Sequence, residues 1–453
     1  MDPLSRRLVR LVRGRESGPA DFADAERYVR DWLGSYVAGS GAPVGRILQA
    51  YAGGDTAGTR RGRSDDGGYD DPAALEGRVF LAAGLSHVTE TDDLHNASVT
   101  HPGCVVVPVA LVVGAALGRQ GHEVLHATLV GYEVMTRVGE ALGPAHYRAF
   151  HNTATAGVFG SAATAATLLG LDEDRFVWAL GSAGTQAAGL WQFNEEGAMS
   201  KPLHAGHAAA AGLRAARLAD AGLTGAERIL EGPKGLFATM CPDARPDAVL
   251  APAPGWKLPE TSMKPYPCCR HVHSAIDAAL EIRDASEFAS RSGADAFGTV
   301  RVGSYPAALG VTDRQSVASP HDARFSMQYA VASTLLRGAP GLETFEPDAV
   351  GDVEVQALMA RVSVDVRPDL ADAYPRRWGA VVEVETADGS KHQATRPSAV
   401  GDPDAPLGDD ALDAKVRGLM TWAGLPPREI DGLLEACRGL VGDGPVFELL
   451  ARG

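Results

Sequence analysis

The sequence predicts a mainly α-helical protein, in which both ends of the chain form a large all-helical domain and a smaller α+β domain is inserted. Three observations predict this class. Helical hydrophobic spacing dominates the first half, alternating apolar and polar residues begin after residue 257, and helical spacing returns from Ala411. We therefore assign residues 1–260 to the first part of the helical domain, 261–400 to an α+β lid domain, and 401–453 to the C-terminal return of the helical domain.

The helices of the first half are separated by glycine, proline and acidic residues. Alanine and glycine dominate several of them, as in GSAATAATLLG, which indicates closely spaced helices. Asp172 is predicted to cap a helix, because its carboxylate can accept hydrogen bonds from free N–H groups. Residues 42–76 are rich in Gly, Asp and Arg and are predicted to form an exposed, mobile loop. The predicted helices are 20–37, 77–87, 104–118, 122–141, 151–169, 172–190, 203–221 and 224–231.

The inserted domain begins with a short helix, HSAIDAALEIRDA. The segments FGTVRVGSY and ARVSVDV alternate in polarity and are predicted strands, with one helix, DARFSMQYAVASTLLRG, between them. Residues 379–397 are predicted to form a hairpin, because Asp388-Gly389 is a favoured two-residue turn.

Composition and charge narrow the classes of function. A chain of 453 residues with 45% apolar residues is long enough for two globular domains. The net charge of −15 argues against nucleic acid as a partner, because phosphates require a basic surface. The longest apolar run, from Cys104 to Leu117, is too short for a membrane span, and the basic start of the chain lacks the apolar core of a secretory signal. We therefore expect no membrane partner. The chain has five cysteines, and an odd number favours a reduced, cytoplasmic protein.

Polar side chains collect at the ends of the apolar helices. The stretch ETDDLHNASVTHPG, residues 90–103, contains three carboxylates and two histidines beside a long apolar run. Cations at helix N-termini favour an anionic ligand, and several such clusters together suit a di- or tricarboxylic acid. The further clusters contain His151 and Thr153, Lys201 and His204, Lys264 and Arg270, and Arg324 and Tyr329.

Each cluster also has a structural interpretation. Lys201 could be a solvated surface residue, and His151 could cap its helix or pack in the core. Asp92 and Asp93 could hold their loop through backbone hydrogen bonds. These two aspartates with His95 and His101 could instead bind zinc or iron, but the sequence has no HExxH or paired CxxC spacing. We therefore predict no metal.

The motifs together resemble a known family. ETDDLHNASVTHPG, FHNTATAGVFGSAATAATLLGL, KPLHAGHAAAAGLRAARLADAGLTG, KPYPCCRHVHSAIDA and DARFSMQYAVASTLLRG are similar to segments of the MmgE/PrpD family, in the same order. That family contains 2-methylcitrate dehydratases, cis-aconitate decarboxylases and iminodisuccinate epimerases. The resemblance, which runs from about residue 20 to near the C-terminus, implies a dimer of two-domain subunits that requires no metal or organic cofactor.

The resemblance also implies site residues. It places the family's acidic position on Glu90, its histidine before proline on His101, and its helix-start histidine on His151. Its two lysines fall on Lys201 and Lys264, and its helix tyrosine falls on Tyr329. Two positions depart from the family: Leu94 replaces a threonine, and Cys269 stands about where cis-aconitate decarboxylases carry a histidine.

The shared chemistry of the family explains these residue types. Each reaction passes through a carbon acid next to a carboxylate, so fixed cations must meet the developing negative charge. We predict Lys201 and Lys264 as those cations, His151 as the base, and His101 or Tyr329 as the opposing acid. Glu90 is included among the catalytic residues. The predicted substrate-binding residues are Asp93, Leu94, Thr153, His204, Cys269 and Arg270.

The predicted activity is dehydration of a 2-methylcitrate-like hydroxy acid. Because Cys269 departs from the decarboxylase pattern, decarboxylation of a cis-aconitate-type substrate is the alternative, with epimerisation of an iminodisuccinate-type substrate as a third. Two other classes are a carboxylate-binding protein without catalysis and a metal-dependent hydrolase. Metal analysis tests the hydrolase, and solvent deuterium exchange into a bound carboxylic acid tests the non-catalytic binding protein.

We predict that the protein is a homodimer joined through its helical domain. The Ala/Gly-rich helices suit close helix–helix contact, and the family resemblance implies a dimer. Light scattering at micromolar concentration should give twice the mass of the 453-residue chain. A monomer under those conditions would contradict this expectation.

Overall fold

A computed structural model describes residues 2–53, 71–285, 293–442 and 446. The chain divides into two compact units. Unit 1 consists of Met1–Val88, Asp92–Thr261 and Asp409–Gly453. Unit 2 consists of Thr89–Thr91 and Ser262–Gly408.

Unit 1 is built from α-helices, and α8 lies in its core. Helix α8 contacts α5, α6, α9 and α11, so its side chains are almost all buried. Two 3₁₀ helices, Pro246–Leu250 and Leu258–Glu260, follow α12. The helices of unit 1 are α1 (Leu4–Arg13), α2 (Pro19–Gly41), α3 (Pro43–Gly53), α4 (Pro72–Ser86), α5 (Gly103–Ala116), α6 (Gly121–Ala141), α7 (Pro144–Tyr147), α8 (Asn152–Leu169), α9 (Glu173–Gly184), α10 (Gln192–Glu196), α11 (Lys201–Asp220), α12 (Leu236–Met240), α20 (Asp409–Trp422) and α21 (Pro427–Gly439).

Glycine allows α6 and α11 to approach α8 closely. A Cβ placed on Gly131 of α6 would lie 2.1 Å from the Thr164 Oγ1 of α8. A Cβ placed on Gly212 of α11 would lie 2.4 Å from the Cβ of Ser161. Real side chains do not approach so closely, so only glycine fits at either position. The prediction that small residues bring these helices together is confirmed.

The C-terminal helices of unit 1 pack against α2. Helix α20 contacts α2, and α21 contacts both helices. The guanidinium of Arg30 on α2 lies 2.6 Å from Asp413 and 3.1 Å from Asp409. The ammonium of Lys415 pairs with the buried carboxylate of Asp31. Both ends of the chain therefore contribute to one helical unit.

Unit 2 contains a mixed sheet in the order β2-β1-β3-β4. Strand β1 pairs in parallel with β2 and antiparallel with β3, and β3 pairs antiparallel with β4. Val302 lies opposite both Val364 and Val382, which gives the centre of the sheet an apolar row. Three 3₁₀ helices, Arg270–Val272, Ala294–Ala296 and Leu342–Phe345, also belong to this unit. Its other elements are α13 (His273–Asp284), β1 (Phe297–Ser304), α14 (Pro306–Thr312), α15 (Pro320–Arg324), α16 (Met327–Arg337), α17 (Pro347–Val350), α18 (Val353–Met359), β2 (Val362–Val366), α19 (Pro368–Ala373), β3 (Ala380–Thr386) and β4 (Lys391–Arg396).

Several sequence predictions agree with these elements. All four predicted strands are present, and Gly389 has a φ of 85° in the turn between β3 and β4. The side chain of Asp172 accepts a hydrogen bond from the N–H of Arg175 and caps α9. The mainly α-helical class is confirmed.

The predicted helix 172–190 ends early, as α9, at Gly184, and three further local predictions are wrong. Residues 224–231 form turns because Gly225 packs its backbone against α9, where a Cβ would lie 2.1 Å from the carbonyl oxygen of Trp178. The predicted loop 42–76 contains helix α3, which Pro43 begins, and the first residues of α4. Its central part, 54–70, lies outside the described residues.

The third error is the single helix predicted for DARFSMQYAVASTLLRG. The chain forms two helices instead: α15 ends at Arg324, and α16 begins at Met327 with Ser326 as its N-cap. Its hydroxyl oxygen accepts a hydrogen bond from the N–H of Tyr329 at 3.0 Å, as an N-cap does. Among the residues that the structure describes, no helix is long and apolar enough to cross a membrane.

We predict that Arg137→Met strongly destabilises unit 1. Arg137 and Glu133 are fully buried, and the Nε of Arg137 lies 2.7 Å from the Oε1 of Glu133. The carboxylate of Glu133 also accepts hydrogen bonds from the guanidinium of Arg15 and from the backbone N–H of Lys257. Removing one partner leaves a buried charge poorly compensated, which costs about 3–5 kcal/mol of unfolding free energy. Urea unfolding followed by circular dichroism measures this loss. The half-exposed Arg175 is the control, and Arg175→Met should change the midpoint little; equal midpoints for the two variants would refute the prediction.

Candidate active site

The acidic and histidine-rich loop between α4 and α5 is held in place by hydrogen bonds. His95 and Thr100 pair their backbones, and Val99 adopts a φ of 53° in the turn between them. The side-chain amide of Asn152, at the start of α8, donates to the carbonyl oxygen of Ser98. These contacts fix the loop against α8 and position the histidine that follows it.

Asp93 ties the same loop to α5 and α6. One carboxylate oxygen accepts from the N–H of Gly103 at 2.9 Å, and the other accepts from the Tyr132 hydroxyl at 2.6 Å. Burial raises the pKa of Asp93 to about 7, although both hydrogen bonds act in the opposite direction. Because both oxygens are engaged, the contacts of Asp93 favour a role in holding the loop.

Asp92 lies between two histidines. Its Oδ2 is 2.7 Å from the Nδ1 of His87, the residue after α4, and 3.1 Å from the Nδ1 of His101. All three side chains are buried. The thiol of Cys104 contacts the carbonyl oxygen of His101, and burial followed by the charge of Asp92 raises the pKa of this thiol well above its usual value. The thiol is therefore protonated at neutral pH.

His151 sits at the N-cap of α8 with its side chain turned towards other aromatic rings. Its ring is stacked on that of His87, with 5.6 Å between centroids and an angle of 12°, and the Trp191 ring is 5.0 Å away. The N–H of His151 donates to the carbonyl of Gly189. Gly189 has a φ of 117°, and a Cβ there would lie 2.5 Å from the Cβ of Ala154, so glycine is required for this approach.

Helix α11 brings Lys201 and His204 to the same cluster. Lys201 is the first residue of α11 and is buried, and the Nδ1 of His204 lies 3.3 Å from the Nδ1 of His151. Burial lowers the pKa of His151 well below its usual value, and positive charge on His87, Lys201, His204 and His101 lowers it further. Burial also lowers the pKa of His204, to about 4. At neutral pH both imidazoles are therefore uncharged, and each has one ring nitrogen that can accept a proton.

Among the described residues of unit 1, two groups of side chains have atoms that could bind a metal. His87, Asp92 and Cys104 have ligand atoms within 4.8 Å of one another, as do His95, Glu140 and Glu260. In the first group the direct hydrogen bond between Asp92 and His87 already uses one atom of each. In the second group, the ammonium of Lys257 lies 2.8 Å from Glu140 and 3.2 Å from Glu260, where a cation would bind.

In unit 2, Lys264 pairs with Glu90. Lys264 is fully buried, and its ammonium lies 3.3 Å from a carboxylate oxygen of Glu90 and 3.2 Å from the carbonyl oxygen of that residue. Glu90 adopts a φ of 59°, which is uncommon for a residue with a side chain and costs backbone strain. The strained residue is thus held by a buried lysine.

Three arginines of unit 2, Arg270, Arg324 and Arg396, have buried N–H groups without acceptors among the described residues. The guanidinium of Arg270 lies 2.6 Å from Asp402, but its Nε and Nη1 have no acceptor in the described parts of the chain. The Nε of Arg324 likewise has none there. The carbonyl oxygen of Arg324 accepts from the N–H of the buried Cys269. Unsatisfied guanidinium groups of this kind suit an anionic ligand.

The remaining predicted residues are all buried. Thr153 accepts a hydrogen bond from the N–H of His101 at 3.1 Å, and Leu94 packs within the loop. Tyr329 donates its hydroxyl hydrogen to the carbonyl oxygen of Thr344, and burial raises the pKa of Tyr329 to about 12. Within unit 1 the structure brings together His101, His151, Lys201 and His204, and within unit 2 it brings together Glu90 and Lys264.

The sequence analysis missed two residues of the cluster in unit 1. His87 precedes Asp92 by five positions, a spacing that would have identified it had the histidine-rich stretch been extended backwards. Trp191 gave no signal, because the predicted helix 172–190 included residues 189 and 190 and Trp191 directly followed it. They pair instead with residues 149–151: the N–H of His151 donates to Gly189, and that of Trp191 donates to Ala149.

Comparison with known proteins agrees with the motif pattern. The model of the MmgE/PrpD N-terminal domain matches residues 14–248, and the model of the MmgE/PrpD C-terminal domain matches residues 266–435. The chain belongs to the MmgE/PrpD family. The cluster of unit 1 falls within the first matched segment, whereas Lys264 of unit 2 lies between the two segments.

Relatives within the MmgE/PrpD family have more than one activity. The chain is 27% identical to the cis-aconitate decarboxylase of Homo sapiens over 359 residues, which are 76% of this chain and 73% of the relative. It is 27% identical to the Mus musculus cis-aconitate decarboxylase over 409 residues, 87% and 81% of the two chains. The 2-methylcitrate dehydratase of Cupriavidus necator is 26% identical over 239 residues, 51% of this chain and 49% of the relative.

We predict that Asp93→Asn reduces the pH dependence of stability. The folded pKa of about 7 exceeds the ordinary value of 3.8, so the folded state binds this proton more tightly than the unfolded chain. Through this group, stability therefore rises as pH falls from above 7 towards 3.8. The asparagine variant lacks the titration, so its melting temperature should change less than that of the wild type between about pH 8 and about pH 5.

The exposed Asp247 of the same unit provides the control. The Asp247→Asn variant should keep the pH dependence of the wild type. If Asp93→Asn and the wild type show the same difference in melting temperature between the two pH values, Asp93 does not titrate as its burial requires.

Proposed function

We propose that this protein is a cofactor-independent lyase that removes a proton next to a carboxylate of a di- or tricarboxylic acid, and that it dehydrates a 2-methylcitrate-like hydroxy acid. The observation that carries the proposal is His151. It is a buried imidazole kept uncharged at neutral pH, in the same cluster as the buried ammonium of Lys201.

A carbon next to a carboxylate is a weak acid, so its base must be ready to accept a proton at neutral pH. His151 meets this requirement because its burial and its positively charged neighbours favour the neutral ring. Its 5.6 Å stack on His87 and the nearby Trp191 restrict the orientation of that ring. A base held in one orientation loses little entropy when the substrate binds.

Removal of the proton places negative charge on the oxygens of the adjacent carboxylate. We assign the stabilisation of that charge to Lys201, because a buried ammonium acts in a low dielectric and needs little reorganisation. The electrostatic effect of Lys201 on His151 supports a shared site for the two groups. The lysine also lies at the N-terminus of α11, where the free N–H groups favour an anion.

Dehydration also requires an acid for the leaving hydroxide. As the C–H bond breaks, its electron pair forms the new double bond, and the C–O bond breaks with its electrons going to oxygen. His101 is the proposed donor, because its Nδ1 lies 3.1 Å from Asp92, whose carboxylate favours a protonated ring. The proton from His101 converts the leaving hydroxide into water.

Decarboxylation is the second candidate, since the human and mouse relatives are cis-aconitate decarboxylases. In that reaction the bond to the departing carboxylate breaks, carbon dioxide leaves, and the remaining carbanion takes a proton. The same histidines and lysine could serve it. We favour dehydration because Cys269 stands about where the resemblance places a histidine in the decarboxylases.

Mass spectrometry of products separates these reactions. The purified protein is incubated with 2-methylcitrate, citrate, cis-aconitate and iminodisuccinate, one at a time. Loss of water supports dehydration, loss of carbon dioxide supports decarboxylation, and altered stereochemistry without a change in mass supports epimerisation. Stoichiometric carbon dioxide from cis-aconitate at an enzymatic rate would overturn the dehydratase assignment.

We predict that Lys201→Ala lowers turnover about a hundredfold or more, because losing one such contact costs on the order of 3 kcal/mol in the transition state. His151→Ala should lower turnover by ~10²–10⁴, the usual contribution of an acid or base. If both act on the same deprotonation, the double variant should lose less than the product of the two factors. Turnover is measured on the best substrate of the product screen.

Matched controls are available in unit 1. Lys234 and His122 are exposed, so Lys234→Ala and His122→Ala should retain wild-type turnover. Melting temperatures show whether each variant is folded. A folded Lys201→Ala protein with the turnover of Lys234→Ala would exclude Lys201 from the site.

A further inference from the structure

We propose that Arg324 is a substrate-binding residue of unit 2, and that its guanidinium binds one carboxylate group of a di- or tricarboxylic acid. The inference rests on the proposed function, which supplies a substrate of that class. The sequence analysis noted Arg324 beside Tyr329 but gave it no role. Three features of its guanidinium point to this one: the ion pairs of comparable arginines, the contacts that fix it, and its access to solvent.

Arg324 differs from the other two arginines of unit 2 that have buried N–H groups without acceptors. The guanidinium of Arg270 lies 2.6 Å from the carboxylate of Asp402, and that of Arg396 lies 2.8 Å from the carboxylate of Glu281. Arg324 makes no ion pair within the parts of the chain that the structure describes, and its Nε has no acceptor there. Its positive charge is therefore not compensated at close range by a described carboxylate.

The carboxylate with the largest effect on Arg324 already has another partner. Burial lowers the pKa of Arg324, whereas the charge of Glu90, followed by that of the half-buried Glu346, raises it. The carboxylate of Glu90, however, lies 3.3 Å from the ammonium of Lys264, and the carbonyl oxygen of Glu90 lies 3.2 Å from the same ammonium. Since Lys264 compensates Glu90, Arg324 retains a positive charge that can attract an anion.

An uncompensated guanidinium in this environment destabilises the fold. Arginine cannot avoid the cost by losing its proton, because a guanidinium stays protonated in proteins. Buried polar groups without partners are uncommon in native structures, so each one calls for a reason. Natural proteins keep destabilising groups where activity requires them. A carboxylate of the substrate would give Arg324 the partner that the described residues do not supply.

Two contacts fix Arg324 within unit 2. Its carbonyl oxygen accepts a hydrogen bond from the N–H of Cys269 at 2.9 Å, which ties the end of α15 to the segment before α13. Its guanidinium carbon lies 5.9 Å from the centroid of the buried Phe345 ring, a separation at which a cation and an aromatic face attract each other. The neighbouring Thr344 accepts the hydroxyl hydrogen of Tyr329. A guanidinium held in this way loses little side-chain entropy when a ligand binds.

Arg324 also remains within reach of a ligand. The residue is half-buried, and of its side-chain nitrogens Nε alone is a buried atom without an acceptor among the described residues. The side chain of Arg270, by contrast, is only 1% exposed and already faces Asp402. Arg324 can therefore bind an anion without displacing a carboxylate of the protein. Its planar guanidinium presents parallel N–H groups that match the two oxygens of a carboxylate.

The test is isothermal titration calorimetry of the full chain with tricarballylate, a tricarboxylic acid that has no hydroxyl group to lose. In Arg324→Met the dissociation constant should rise on the order of 10–100-fold, because charge-assisted hydrogen bonds to the carboxylate are lost. Arg324→Lys should weaken binding by a smaller factor, since an ammonium keeps the charge but not the two parallel N–H groups. An unchanged dissociation constant in folded Arg324→Met would overturn the inference.

Melting temperatures without and with tricarballylate separate binding from a role in the fold. Without the acid, Arg324→Met should melt at or above the temperature of the wild type, because methionine removes an uncompensated charge. With the acid, the wild type should gain more in melting temperature than the variant. A lower melting temperature together with unchanged binding would make Arg324 a structural residue. Should Arg324→Met fail to fold, Arg324→Lys decides the question: several-fold weaker binding supports the inference, and unchanged binding overturns it.

Arg337→Met is the matched control. Arg337 is an exposed arginine of unit 2 whose guanidinium lies 2.7 Å from Asp352 and 2.6 Å from Glu354. This variant removes the same charge from the same unit, so its dissociation constant for tricarballylate should equal that of the wild type. If Arg337→Met weakens binding as much as Arg324→Met, the effect reflects the net charge of the protein, and the inference falls.

The outcomes of this test are independent of the product screen. Binding of tricarballylate that depends on Arg324, in a protein that turns over none of the four acids, would leave the inference standing and refute the proposed function. Turnover in the screen with equally tight binding by Arg324→Met would do the reverse. A wild-type protein that binds no tricarballylate at millimolar concentration would also overturn the inference.

Discussion

The close packing of α8 against α6 and α11 is the constraint on which the candidate site of unit 1 depends. Gly131 and Gly212 remove the side chains that would otherwise separate these helices. The N-terminus of α8 carries His151, and the N-terminus of α11 carries Lys201. Larger side chains at the two glycines would force the helix ends apart, and with them the groups proposed to act on one carbon. Packing of the helices in the core thus sets the distance between the side chains of the candidate site.

Two adjacent buried aspartates, Asp92 and Asp93, lie at the centre of the electrostatics of the candidate site in unit 1. Asp92 lies among imidazoles, and Asp93 is held by a hydroxyl and a backbone N–H and has a pKa raised by burial to about 7. Two adjacent carboxylates therefore have different tasks. Asp92 contacts titratable rings, whereas Asp93 anchors the loop to α5 and α6. Neighbouring residues of the same type are distinguished here by their partners, because hydrogen bonds and burial act on each one separately.

Much of the fold could be predicted from periodicity, because amphipathic helices and alternating strands are local patterns. The four strands and the central helices of unit 1 followed from it. Residues 224–231 did not, since their conformation depends on backbone contact with Trp178, a tertiary feature that no local pattern records. The split at Ser326 was also missed, because a capping hydroxyl looks like any other polar residue within a long helical pattern.

The site was predicted less completely than the fold. Residue type and position at helix ends pointed to His151, Lys201 and Lys264, because cations at such positions have a physical reason. His87 was missed, since its importance comes from the ring that it faces and the carboxylate that it contacts. Contacts of that kind depend on the arrangement of helices.

The buried thiols have a consequence for how the protein withstands oxidising conditions. Thiolate, not thiol, reacts readily with peroxides and alkylating reagents. Burial raises the pKa of Cys104 well above its usual value and that of Cys241 to about 12, and it raises those of Cys268 and Cys437 as well. Cys104 stands beside the histidine cluster, yet its sulfur stays in the unreactive form. The native fold thereby protects the neighbourhood of the proposed base from redox damage.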